Sequence, residues 1–147
     1  MMNSRQITSL LRERCGRTFL GVFPIDRLPA RLPTRRPLLL VCNTAKHDHR
    51  GKHWIVLFID GIGKYFDSYA EPPMRAFDLY LSRYCNTYTT NTKAIQSAVS
   101  YSCGNYCIFY CLMKQLRYSM TDIENAFSSD TGLNDFIIHR FVCFGLK

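Results

Sequence analysis

Four residues, Asp60-Gly61-Ile62-Gly63, do most to limit what this chain can become. They separate two runs with strand character, His53–Asp60 and Lys64–Tyr69. An Asp-Gly pair between such runs is among the strongest short-range hairpin signals, because a tight turn there needs positive φ at its central positions. The arms of a hairpin run antiparallel, so their outer ends lie side by side, with His53 on one and Asp67 on the other. A third run, Leu38–Asn43, reads as a continuous apolar strand.

Helical signals flank these strands. Ser4 is placed to cap a helix over residues 4–15, where Ile7, Leu10, Leu11 and Cys15 share a face and Gly16 is the stop. Phe19–Phe23 reads as a short extended segment. Residues 24–37 carry Pro24, Pro29, Pro33 and Pro37 among arginines, which makes a loop; neither flank is large enough for it to be a domain boundary. Downstream, Pro73 opens a helix through Tyr84, and an extended stretch covers about Cys85–Gln96. Apolar residues recur at helical spacing from Cys103 to Tyr118, and Thr121-Asp122-Ile123-Glu124 reads as the capping box of a short helix. A last helix, about Asn134 to Phe144, is expected to bury Phe136, Ile137, Phe141 and Phe144. The succession of helix, strands, then helices is α+β in class.

A chain of 147 residues is the size of one domain, here 1–147, and such a domain buries roughly 68–70% of its unfolded surface without a disulfide or metal staple. With 47% hydrophobic and 20% charged residues it is neither disordered nor a coiled coil. The longest apolar runs, Leu38–Cys42 and Ile55–Ile59, are far too short for a membrane-spanning helix. Residues Met1–Arg14 lack an apolar stretch of the kind a secretory signal needs, so secretion is not expected. Seven cysteines, an odd number, exclude a fully paired disulfide framework, and free thiols in a reducing compartment are the expectation. The formal net charge of +8 is confined to residues 1–52, which hold eleven Lys and Arg against Glu13, Asp26 and Asp48, whereas the rest is balanced. A polyanion such as nucleic acid fits this asymmetry, and so does simple solubility.

The chemistry centres on Cys103. Ser102-Cys103-Gly104-Asn105 stands where a loop enters an apolar helix, and a thiolate at a helix N-terminus is stabilised by unpaired backbone N–H groups and the macrodipole. Gly104 leaves room for a substrate backbone. A core cysteine is the competing reading, since free cysteine is often buried. A nucleophilic cysteine also needs a base, an orienter and an oxyanion donor. His53, at the mouth of an apolar strand, is placed as the base, Asp67 as its orienter, and the Gln96 amide, seven residues before Cys103, as the donor.

The ordered set His53-Trp54, Phe66-Asp67, Gln96 and Cys103-Gly104 resembles the adenain-like and Ulp-like cysteine proteases. Phe19-Leu20-Gly21-Val22-Phe23 is similar to that family's opening strand, and Val41-Cys42-Asn43-Thr44-Ala45 followed by Gly51 is similar to its approach to the histidine. The resemblance runs from about Phe19 to Cys111. It implies a papain-like fold with a central, mainly antiparallel or mixed sheet flanked by helices, and hydrolysis of peptide bonds through a thioester. It also implies that Trp54, Gly51 and Gly104 bind substrate. Asp67, where adenovirus enzymes have Glu, is similar to the Ulp branch and to enzymes of Maverick/Polinton elements and related viruses; the stretch after Cys111 is shorter than in adenain.

The resemblance further implies viral precursor proteins as substrates, cut after Gly-containing motifs, with deconjugation of ubiquitin-like proteins as the close variant. It implies a monomer in the virion and the host nucleus or cytoplasm, no cofactor for the chemistry, and DNA and an activating peptide as possible effectors. Cys85, eleven residues before Gln96, is similar in spacing to the adenain cysteine that joins such a peptide. Its other reading is packing under the helix that ends at Tyr84.

Two alternatives come from the residues alone. Cys107, Cys111, His139 and Cys143, spaced for two facing helices, have the composition of a zinc site. Their apolar neighbours favour core packing, and no metal is assigned. His47 and His49, with Asp48, read as a solvated loop. A non-enzymatic nucleic-acid- or zinc-binding module is the function class these features would support.

Overall fold

A computed structural model describes residues 1–146. Five strands form one sheet in sequence order, β1 (Phe19–Pro24), β2 (Leu38–Asn43), β3 (Trp54–Ile59), β4 (Ile62–Phe66) and β5 (Thr87–Thr90). The outer pairs, β1–β2 and β4–β5, are parallel and the inner pairs antiparallel. Five helices flank it: α1 (Ser4–Cys15), α2 (Arg75–Tyr84), α3 (Cys103–Gln115), α4 (Met120–Asn125) and α5 (Thr131–Arg140), the last continuing into a π-helical turn at Phe141–Gly145. The chain adopts the expected α+β class, with a mixed sheet flanked by helices.

Both faces of the sheet are covered, and this explains why β2 and β3 are apolar throughout rather than alternating. Leu39, Val41, Trp54, Val56 and Phe58 pack with α1 and α3 in one core, while Leu38, Leu40, Ile55, Leu57 and Ile59 pack with Phe77 and Leu81 of α2 in the other. The hairpin pairs Val56 with Phe66 and Phe58 with Lys64. β4 therefore starts at Ile62, two residues before the expected strand, and ends at Phe66.

Other departures have identifiable causes. Asn3, not Ser4, caps α1, exchanging bonds with Gln6 in a capping box. Gly16 ends the helix in the left-handed region, φ 55°, as a stop residue should. The capping box of α4 is Ser119 with Asp122, two residues ahead of the expected one, and α2 begins at Arg75 rather than Pro73. The largest correction concerns α5. It buries Asn134, Ile138 and Val142, and leaves Phe136, Ile137 and Phe144 half or more exposed. Asn134 sets this phase: its amide donates to the carbonyls of Ile95 (3.1 Å) and Ser128 (2.8 Å), and its oxygen accepts from Ser128 N–H. A polar side chain with that many buried bonds outcompetes an aromatic one for the inward position. Phe141 is half-buried, edge-on to Phe109.

Candidate active site

β3 and β4 deliver the acid–base pair. Asn43, buried at the end of β2, accepts from the main-chain N–H of Ala45 (2.8 Å) and of Lys52 (3.1 Å), and so holds both shoulders of the loop that leads to His53. The carbonyl of His53 in turn accepts from Thr44 N–H at 2.9 Å. That loop is not merely solvated: His47 donates its main-chain N–H (2.8 Å) to Asp26, and its ring Nδ1 lies 2.6 Å from the same carboxylate. The His47 hydrogen bond also holds the Asp26 carboxyl below its ordinary range.

His53 Nε2 lies 2.7 Å from Asp67 Oδ1, with both side chains largely shielded from water. A carboxylate can only accept, so Nε2 carries the proton and Nδ1 is the nitrogen left for the thiol of Cys103, which lines the same cleft. Burial works against the imidazolium, but the Asp67 bond and then the Cys103 bond outweigh it and raise the His53 pKa to about 9. Asp67 is gripped in turn. Its main-chain N–H donates to Asn91 Oδ1 (2.9 Å), its carbonyl accepts from Asn91 Nδ2 (2.6 Å), and Tyr69 N–H donates to its Oδ1 (2.8 Å). Tyr69 also stacks on the imidazole, ring centroids 4.7 Å apart at 25°.

Cys103 is the first residue of α3, and no side chain caps that end. The first-turn amides thus have no side-chain acceptor, and the thiol lines the same cleft as the His53 ring. Elsewhere burial pushes the thiols of Cys42, Cys107 and Cys111 up, which keeps them protonated and inert. Met1, His53, Tyr69, Ser100, Tyr101 and Cys103 are among the residues that line a cleft of about 200 Å³.

The remaining expected residues fall into place differently. Gln96 is buried, its amide donating to the Ser100 carbonyl (3.2 Å) and hydroxyl (3.0 Å) while its oxygen accepts from Ser68. Its donors are spent on the loop that leads into Cys103. A Cβ on Gly104 would stand 3.1 Å from Met2 Cβ and 3.3 Å from Trp54 Cδ1, so close packing with these two side chains is what needs glycine there. The Trp54 indole donates to the Met2 carbonyl at 3.0 Å. Gly51 stands against Asn43, and with Trp54 it borders a neighbouring hollow instead of the cleft at the thiol.

Cys85 packs in the α2-side core with Phe77 and Leu81, 8% exposed and so close to Gly63 that a Cβ there would lie 2.5 Å from its sulfur. His139 and Cys143 meet at 3.7 Å, but Cys107 and Cys111 are sealed inside α3. Among the described residues only Asp26, His47 and Asp48, all exposed, lie close enough together to share an ion. Sequence reasoning missed Tyr69 and Asn91. The proximity of Tyr69 to Asp67 in Asp67-Ser68-Tyr69 was the one available signal.

No protein-family profile and no curated protein matches the sequence. Solved structures do match. The ASFV pS273R protease superposes with a TM-score of 0.67 over 95% of this chain at 17% identity, and its selenomethionine form with 0.54 over 70% at 22%. The chain spans 66% and 43% of those two chains. At such identities what the likeness shows is the fold, and that fold is one a viral protease uses.

Proposed function

We propose that the chain is a cysteine endopeptidase. The observation that carries the reading is the 2.7 Å bond from His53 Nε2 to Asp67 Oδ1, next to a thiol at an uncapped helix N-terminus. The likeness to a protease fold supports it. In this reading the Cys103 thiol gives its proton to His53 as its sulfur attacks the scissile carbonyl, and the tetrahedral oxyanion is met by the Cys103 main-chain N–H and by the Gln96 amide, which turns from Ser100 to reach it. Collapse breaks the C–N bond, and His53 gives its proton to the leaving amine, which leaves a thioester. Water attacks the thioester carbonyl, passing a proton to His53; the C–S bond then breaks, His53 returns that proton to the Cys103 sulfur, and the new carboxylic acid leaves. Asp67 holds the imidazole tautomer throughout.

The substrates are precursor proteins of the virion type, cut after Gly-containing motifs. The experiment is digestion of a peptide library. Cys103→Ala and His53→Ala abolish cleavage with the fold intact, Gln96→Ala lowers the rate by about 10²–10³-fold, and Asp67→Asn leaves a weak residual rate. Full cleavage by Cys103→Ala overturns the assignment.

A further inference from the structure

Ser102 and Asn105, on either side of Cys103-Gly104, open onto a second hollow of about 400 Å³, larger than the cleft at the thiol. The two cavities share Met1 and Tyr101, so one bound chain can run from the cleft into the hollow. Its other wall is made by His139, Val142 and Cys143 of α5 and the π-helical turn. Asn105 is the unusual residue here. It is only 8% exposed, yet its side-chain amide has no hydrogen-bonding partner among the described residues. The other buried amides, Asn43, Asn91, Gln96 and Asn134, each hold at least one. We propose that this hollow is a subsite for an uncharged amide side chain, Gln or Asn, near the scissile bond of the substrate, and that Asn105 is its specificity-determining residue. The effect on cleavage rests on the protease reading; the binding of an amide does not.

The lining selects the ligand chemistry. A buried primary amide left unpaired is costly, and a ligand that pairs it recovers the loss. An apolar side chain would fill the space and leave Asn105 unpaired. No Asp, Glu, Lys or Arg side chain lines the hollow, so a charged group would give up hydration without a side-chain counter-charge. A second amide offers what is missing, an oxygen that accepts and an NH2 that donates, matching Asn105 group for group. Gln6 adds a donor on the same wall, because its Oε1 is taken by Asn3 N–H at 2.9 Å and its Nε2 is left over. Met2, Tyr101 and Val142 supply apolar surface for the methylene stem of the ligand. A mainly apolar hollow with a few convergent polar groups is the usual form of a specificity pocket.

The test uses Asn105→Leu, which keeps the side-chain size, and Cys143→Trp, which fills the hollow from the opposite wall without altering α3. The first readout needs no cleavage. N-acetylglutaminamide is titrated into the full chain carrying Cys103→Ala and followed by NMR at the Asn105 side-chain NH2. The signal shifts saturably, N-acetylmethioninamide leaves it in place, and adding Cys143→Trp abolishes the shift. The second readout is digestion of a positional peptide library. The wild-type chain favours Gln or Asn over Leu, Met and Glu at one position by about 10- to 100-fold in kcat/KM, and both variants erase that preference. No saturable shift with the glutamine probe overturns the subsite, as does cleavage of the library without an amide preference, or a preference that survives in either variant. If the wild-type chain cleaves nothing while the glutamine probe still shifts Asn105, the protease reading fails and the amide site stands.

Discussion

At the residue scale, the imidazole of His53 links the candidate site to stability. Its pKa is raised from 6.5 to about 9 in the folded chain, so folding strengthens proton binding there. A group raised in this way adds stability that is complete below its unfolded pKa and is lost as pH climbs through the folded one. The unfolding free energy should therefore fall between pH 6.5 and about 9. Urea titrations across that range check it, with His53→Gln as the reference lacking that part of the fall; an identical fall in the variant contradicts the coupling. The grouping of the candidate centre was largely legible: the hairpin brings His53 within 2.7 Å of Asp67, and Cys103 lines the same cleft as His53. Tyr69 and Asn91 were not legible. Asn91 bonds the backbone N–H and carbonyl of Asp67 and the Tyr69 hydroxyl bonds the Ser100 carbonyl, partners that any residue can provide, and the Tyr69 stack on His53 depends on the fold rather than on a sequence pattern.

At the element scale the hairpin was readable and the phase of α5 was not. Asp60-Gly61 marks the turn, although neither residue takes positive φ: Asp60 Oδ1 accepts from Gly61 N–H at 2.9 Å, and the Gly61 carbonyl accepts from Asn86 N–H at 2.9 Å. The helix instead offers two apolar stripes, and the choice between them is made by Asn134, whose bonds reach Ile95 and Ser128. Hydrophobicity alone favours Phe136 and Ile137, so it points to the wrong face. The energetics of the two stripes differ accordingly. Ile138→Ala should cost about 2–5 kcal/mol as a buried truncation. Phe136→Ser, at a position 60% exposed, should stay within about 0.5 kcal/mol. Chemical denaturation of the two variants decides, and equal losses would show that the phase is misassigned.

For the whole molecule, the uneven charge becomes a surface property. Of the eleven Lys and Arg in residues 1–52, only Arg14 is half-buried and only Arg14 has a carboxylate partner among the described residues, Glu13 at 3.4 Å. Arg35 and Arg36 spend donors on the carbonyls of Arg17 and Pro33, which leaves their charge uncompensated. If this surface binds duplex DNA, log K falls linearly with log salt, with a slope of about −0.9 per phosphate neutralised and no sequence preference. Filter binding across salt concentrations measures the slope, and no detectable binding at low ionic strength leaves solubility as the role of the charge. A different whole-molecule signal comes from the packing beside Gly104. Trp54 is the single tryptophan in the chain, and its indole N–H is held by the Met2 carbonyl next to the head of α3. All tryptophan emission from the protein therefore originates a few ångströms from the proposed nucleophile. The chain carries its own optical gauge of cleft occupancy, and an unlabelled peptide that disturbs the Met2 contact will register as a change in emission wavelength.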